Sequence, residues 1–361
     1  MIIALCFAAS VYAQQYGIPR TGQTPTLPEA PPPTGADGLS QHGIVWPIPR
    51  FVINRDGTVT DTLTGLMWLQ DAASLGSNWN QCRDYCETLD FAGHDDWRMP
   101  SMTEMRSIVH WGMPKNRRFS DTTGTAPWSE GDPFIGLSDV SKLWTTTPYW
   151  GDRYQVMRKD AWAEGQTPDT PFLDVWPVRT ASRQAPAPVP NTEDWPRPRF
   201  TDMNDGTVRD NLTDLTWTKD AFVGGAQVTW WAARNACENL ELAGHEDWRL
   251  PNVNEMLSLL DWRWPDGAIQ ISNAEGTGPW TEGDPFTRIQ TQTFEGNIPP
   301  YYWTSSSHDT DYAIVVIPRE GNLSGGGRNN ASLRLPFWPV RGESVGNGGR
   351  FGGRGLSIIV R

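Results

Sequence analysis

The stretch GHDDWRMPSMTEM, residues 93–105, is spelled again as GHEDWRLPNVNEM at residues 244–256. One order of histidine, acids, tryptophan, arginine and proline, used twice, fits a duplicated active site, a duplicated metal site or a duplicated folding unit. The surrounding sequence extends the match. PRFVINRDGTVTDTLTGLMWLQDA (49–72) pairs with PRFTDMNDGTVRDNLTDLTWTKDA (198–221), and GTAPWSEGDPF (124–134) with GTGPWTEGDPF (276–286). LWTTTPYW (143–150) corresponds to YWTSSSHD (302–309), and VWPVR (175–179) to FWPVR (337–341). The offset grows from 149 residues at Trp68/Trp217 to 151 at His94/His245 and 162 at Trp176/Trp338. Order is kept and insertions gather late in the second copy, as in a tandem duplication of a domain-sized unit rather than a solenoid.

Within each copy the local signals agree. NRDGTV and MNDGTV place Asp-Gly between β-type runs, a strong hairpin signal. Trp79, Cys82, Cys86 and Leu89 form a helical stripe, matched by Trp230, Ala233, Cys237 and Leu240, and Gly93 and Gly244 are expected as the glycines that end those helices. Ser101-x-x-Glu104 and Asn252-x-x-Glu255 are capping boxes opening a second helix. Strands are expected around Trp144 and Trp303, and the WPVR segments close each unit. The predicted class is α+β: two tandem similar domains, each a hairpin, two helices and a mainly antiparallel sheet.

In this setting the repeated peptide is the connection between two helices, and a structural role is predicted for its residues. Glu104 and Glu255 cap and complement the helix dipole. Trp97 and Trp248 anchor the loop, and Arg98 and Arg249 tie neighbouring carbonyls or Asp96 and Asp247. For His94 and His245 the alternative is a metal or acid–base role, but each copy supplies one histidine and no matching ligands; His308 aligns near Tyr149. Asp56, Asp61, Asp205 and Asp210 are calcium candidates by their oxygens, yet the run lacks the closing glutamate of a calcium loop and Asp-Gly is what a tight turn demands. No cofactor is therefore expected, with calcium the alternative. Nucleophile-elbow, Ser/His/Asp and phosphate-loop patterns are missing; GGGR (325–328) lacks the Gly-Lys-Ser/Thr that would follow.

The chain has 361 residues, enough for two domains, and a net charge of −12, which argues against nucleic acid as a partner. Residues 1–13, within MIIALCFAASVYAQQ, read as a secretory signal, so a secreted or cell-surface location is expected. No other segment has the apolar length of a membrane span. Residues 14–48 read as a Pro-rich extended arm, 49–180 as repeat one, 181–197 as a Pro-rich linker, 198–342 as repeat two, and 343–361 as a Gly/Arg spacer with a terminal strand. A Cys82–Cys86 bridge is conceivable in an exported protein, though marginal within one helix.

Taken together, DGTVTDTLTGLMWLQDA, the Trp79-to-Leu89 helix, GHDDWRMPSMTEM, LWTTTPYW and the terminal VWPVR resemble the Lcl C-terminal domain family, also called DUF1566, over roughly 49–180 and 198–342. The resemblance implies exported bacterial proteins, a module linked to adhesion and sulfated glycans, and a C-type-lectin-like or formylglycine-enzyme-like fold. Two departures stand out. Family members carry RCVR where this chain has WPVR, so Cys86 and Cys237 lose the implied partner; the acidic charge also speaks against sulfated glycans.

The expected function is a secreted, non-catalytic tandem module for extracellular binding or adhesion, carbohydrate being the candidate ligand. Tyr149, Trp150, Tyr301 and Tyr302 at strand ends are the candidates to stack on sugar rings, whereas Trp144 and Trp303 read as core. The alternative is a structural subunit of a surface polymer or filament, self-assembled by strand addition through Leu356, Ile358, Ile359 and Val360. A formylglycine-generating-type enzyme is disfavoured, because only repeat one has a second helical cysteine, Cys82.

Overall fold

Each Asp-Gly sits where the backbone turns left-handed. In the computed structural model, which describes residues 16–28, 32–73, 75–140, 142–187, 189, 195–264, 268–292, 300–319 and 321–344, Arg55 and Gly57 have φ of 63° and 88°, and Asn204 and Gly206 have 59° and 90°. These positions favour glycine or asparagine, so the loop closes the predicted hairpin. The segment expected to be a signal and the one expected to be a terminal strand, with Leu356, Ile358, Ile359 and Val360, lie outside the described residues.

A short helix in the arm, α1 (Asp37–Ser40), precedes repeat one. The repeat begins with β1 (Phe51–Ile53), β2 (Thr58–Asp61) and β3 (Leu66–Leu69), paired so that Phe51 faces Asp61 and Val59 faces Trp68. β4 (Leu75–Ser77) leads into α2 (Trp79–Glu87), which buries Trp79, Cys82 and Cys86. α3 (Met102–Ser107) follows, then β5 (Lys142–Pro148), β6 (Tyr154–Arg158), β7 (Ala163–Gln166), β8 (Leu173–Val175) and β9 (Val178–Thr180). Strand order is β1-β2-β3-β9 in one sheet and β4-β8-β5-β6-β7 in the other, all antiparallel except β5 with β8. The closing strand thus lies beside the opening hairpin.

Repeat two runs β10 (Phe200–Asp202), β11 (Thr207–Asp210), β12 (Thr216–Thr218), α4 (Trp230–Glu238), α5 (Val253–Ser258), β13 (Tyr302–Ser307), β14 (Tyr312–Val316), β15 (Leu323–Gly327) and β16 (Val340–Arg341). Its sheets are β10-β11-β12-β16 and β13-β14-β15. The molecule is two similar halves, mostly antiparallel strands with few short helices.

The capping boxes form in both copies: Ser101 Oγ and Asn252 Oδ1 accept from the amides of Glu104 and Glu255, whose carboxylates accept from the cap amides. The helix-ending glycines are a correction. α2 and α4 stop at Glu87 and Glu238, where Thr88 and Asn239 bond back to the carbonyls of Asp84 and Asn235 at 2.7 Å. Gly93 and Gly244 instead form, with Ala92 and Ala243, two-residue turns in which both φ are positive. Those turns close Phe91 on His94 and Leu242 on His245.

Tryptophan builds the core in equivalent pairs. Trp176 and Trp338 are fully buried and donate to the carbonyls of Leu69 (2.8 Å) and Thr218 (2.9 Å). Trp144 and Trp303 do likewise to Ser77 and Val228, and Trp79 and Trp230 to Thr145 and Thr304. A buried indole needs its N–H satisfied, and the duplicated carbonyls supply that partner twice.

Candidate functional site at the seam of the two repeats

The duplicated peptide holds each repeat closed. Arg98 makes a two-pronged bond to Glu104 (2.8 and 2.5 Å) and Arg249 to Glu255 (2.7 Å twice), so the capping glutamate is also an ion-pair partner. The expected arginine contact to Asp96 or Asp247 is not made; those acids take the arginine of the closing WPVR segment. Arg179 donates to Asp96 (2.5 and 3.2 Å) and Arg341 to Asp247 (2.7 Å). Backbone bridges join Arg98 to Val178 and Arg249 to Val340. Trp97 and Trp248 are buried beneath, while His94 is half-buried and His245 exposed.

The two repeats meet through matched elements. Trp111 donates to Asn254 Oδ1 at 2.9 Å, Lys115 pairs with Asp309, and Arg118 donates to the His308 carbonyl. The described arm straps the seam: Tyr16 donates to the Leu212 carbonyl, and the Ile18 amide to Ser344 Oγ. The Gln23 side chain donates to the Ser307 carbonyl (2.6 Å) and accepts from its amide (2.9 Å), completing an edge of β13 as a strand would. Asp37 bonds to Thr21 and to Ser306 (3.2 Å) and is fully buried. Burial pushes its carboxyl up to about 6, the Thr21 bond opposing and the nearby Glu255 charge adding.

Between the repeats lies a cavity of about 360 Å³. Its wall is made of residues that occupy equivalent positions in the two copies: Trp46 with Trp195, Thr64 with Thr213, Ser107 with Ser258, Val109 with Leu260. Charge breaks the equivalence at one pair, because Arg106 of α3 stands where α5 has Leu257. Arg106 is 8% exposed; its Nη2 donates to the Gly321 carbonyl at 2.8 Å, its guanidinium lies 5.8 Å from the Trp262 ring, and its Nε has no partner. Burial pulls its pKa down to about 9. Arg20 and Arg263 also line the space, Arg263 chelating Asp261, and no acid appears among the described lining residues. Sequence reasoning did not single out Arg106. The signal was present in the aligned helices, as was WP-x-PRF at 46–51 and 195–200, which places both tryptophans.

The aromatic candidates do not converge. Tyr302 is fully buried, its hydroxyl accepting from the Gln290 amide, so its assignment to a sugar-stacking surface is corrected; β13 is buried along its whole length. Tyr301 packs half-buried against the second repeat's core. Tyr149 is half-buried and its hydroxyl accepts from Asn322 at 3.0 Å, whereas Trp150 is 49% exposed with the Arg319 guanidinium 4.8 Å from its ring. Tyr149 and Trp150 thus sit at the rim of the seam, touched by Asn322 and Arg319, close in sequence to the Gly321 that Arg106 reaches.

Cys82, Cys86 and Cys237 are buried free thiols. The Cys82–Cys86 bridge is thereby corrected: the two sit one turn apart on the buried face of α2, in a geometry ill-suited to a disulfide. Burial pushes Cys82 up to about 11 and Cys86 to about 12, and raises Cys237 as well. Asp61 and Asp210 are fully buried against Arg50 and Arg199, and Asp56 and Asp205 accept from Thr58 and Thr207 within their own turns. Among the described residues no group of three or more His, Cys, Asp or Glu side chains is placed to hold a metal ion, and no helix is long and apolar enough to cross a membrane.

No curated protein matches the chain. The Lcl C-terminal domain family matches residues 57–179 and 206–341, well over half the sequence and in the two places where the fold repeats. The chain therefore belongs to the Lcl C-terminal domain family and carries that domain twice in tandem.

Proposed function

We propose that the protein is an exported, non-catalytic binding module of the bacterial cell exterior, with the seam between its repeats as the binding site. The observation that carries this reading is the cavity of about 360 Å³ walled by both copies and the arm, at a domain junction where ligand pockets commonly form. The side chains best suited to acid–base chemistry in the repeated peptide are engaged in structural pairs, Glu104 with Arg98 and Asp96 with Arg179, which supports a role without catalysis. Carbohydrate is the ligand class implied for the family, and exposed Trp150 at the rim supports contact with a sugar polymer there. The antiparallel halves, each with its last strand added to the opening three-stranded sheet, support for each repeat the C-type-lectin-like or formylglycine-enzyme-like class.

The test is a thermal-shift panel of glycans and small organic ligands, followed by calorimetry. Leu257→Trp fills the cavity from a half-buried position, and it is expected to abolish binding while the far-ultraviolet spectrum stays unchanged. Undiminished binding in that variant would remove the seam as the site.

Assembly into a surface polymer is the second reading. It is favoured by β15, which among the described residues pairs with β14 alone and is the outer strand of its sheet, a place for an added strand. Removing residues 343–361 and comparing masses by light scattering tests it; identical monomers before and after removal reject it.

A further inference from the structure

Arg106 has no counterpart in the duplicated architecture. Arg50 pairs with Asp61, Arg199 with Asp210 and Arg249 with Glu255, whereas Arg106, like the buried Arg118, is bonded to carbonyls and to no acid. Arg106 faces the seam cavity with one hydrogen bond, to the Gly321 carbonyl, and an Nε that donates to nothing. A guanidinium offers five donors in a flat fork, and a buried cation without a counter-charge is destabilising by several kcal/mol on the order seen for broken buried pairs. The equivalent position in α5 is Leu257, so packing at this helix position is achieved without charge. Something other than packing accounts for the arginine.

The surroundings define what it would hold. The protein carries a net charge of −12, yet the described cavity wall holds Arg20, Arg106 and Arg263 and no acid. Arg263 is offset by its ion pair with Asp261, so Arg20 and Arg106 are the lining cations that favour an anion there. Trp46, Trp195, Trp262 and Leu257 supply aromatic and aliphatic surface.

We propose that the seam cavity is a receptor for a monocarboxylate with an apolar or aromatic body, the carboxylate gripped by Arg106 and the body lodged among Trp195, Trp262 and Leu257. A guanidinium recognises the two oxygens of a carboxylate through charge-assisted hydrogen bonds. Occupancy gives the buried guanidinium a counter-charge and joins α3 of repeat one to Gly321 of repeat two, because Arg106 already bonds that carbonyl. This inference rests on the seam being a binding site, and its experiment separates the two claims.

The probes are 4-phenylbutanoate and 4-phenylbutan-1-ol, which share a skeleton and differ in charge, together with glucuronate. Titrations are read by calorimetry and tryptophan fluorescence on the full chain. The expected result is binding of the acid at least about tenfold tighter than the alcohol, from the charge-assisted bonds. Arg106→Leu, which installs the residue of the equivalent site, is expected to weaken the acid at least about tenfold and leave the alcohol within about threefold. Arg106→Gln carries the same expectation should the leucine variant fail to fold. Equal binding of acid and alcohol would overturn the carboxylate assignment while leaving the cavity a binding site. Preference for glucuronate would overturn the apolar body, and failure of all three probes to bind would overturn the receptor altogether.

Discussion

Arg50 and Asp61 form a two-pronged ion pair with both side chains fully buried, Nη2 to Oδ2 at 3.1 Å, and Arg199 and Asp210 reproduce it at 2.8 Å. Each pair sits beneath its hairpin, and each arginine reaches the carbonyl that ends the second helix, Ser107 or Ser258. Asp61 also accepts from the Leu63 amide and Thr64 hydroxyl, so one carboxylate organises the turn, the sheet and the helix end.

Removing one partner leaves a charge stranded in the core. Asp61→Ala is expected to cost about 3–5 kcal/mol, measured as a lowered midpoint in urea unfolding. Arg179→Ala at the exposed pair with Asp96 is expected to cost about 1 kcal/mol or less. Similar losses in the two variants would refute the ranking.

Asp37 makes stability depend on pH. Its carboxyl titrates near 3.8 when unfolded and about 6 when folded, burial being the main cause, and its Oδ1 has no partner. Between those values the folded state keeps a proton that the unfolded state has lost, so stability falls as pH rises from about 4 past 6 and then levels off. Two units correspond to about 3 kcal/mol. Asp174, pushed up to about 6 by burial and by Asp71 and Asp139, acts in the same direction and persists in an Asp37→Asn variant. Melting profiles at pH 4.5 and 7.5 are expected to show a smaller drop in Asp37→Asn than in the parent; parallel profiles would contradict it.

Gln23 is the arm's substitute for a neighbouring strand, bonded to both the amide and the carbonyl of Ser307. Gln23→Ala removes both bonds to the Ser307 backbone, at about 1–3 kcal/mol each as an upper scale. Faster amide exchange concentrated in Tyr302–Ser307 is the expected readout, and a uniform change across both repeats would count against it.

The thiols offer a chemical check. Cys82, Cys86 and Cys237 are buried and hold their protons well above neutral pH. Iodoacetamide at pH 8 is expected to spare all three in the native protein and to label all three after unfolding without reductant. Protection of Cys82 and Cys86 in the unfolded, unreduced chain would reveal a disulfide.

Much of this was legible before any coordinates. The hairpins, both helices of each repeat and the capping boxes at Ser101 and Asn252 depend on neighbours within a few residues, and those neighbours are written twice. The misplaced helix ends at Gly93 and Gly244 show the limit, since a glycine after a helical stripe serves a C-cap or a tight turn equally well. Which one forms was decided by Thr88 and Asn239 bonding back into the last turn.

By itself the sequence determined the duplication, the order of elements and the residues that anchor them, because propensity, turn chemistry and apolar spacing are local. Only the tertiary structure decided that Asp96 meets Arg179 across 83 residues, that Tyr302 faces the core, and that Arg106 lines a cavity between the copies. Those outcomes depend on how two repeats and an arm pack against one another, and contact between distant segments is set by the shape of the whole rather than by spacing along the chain.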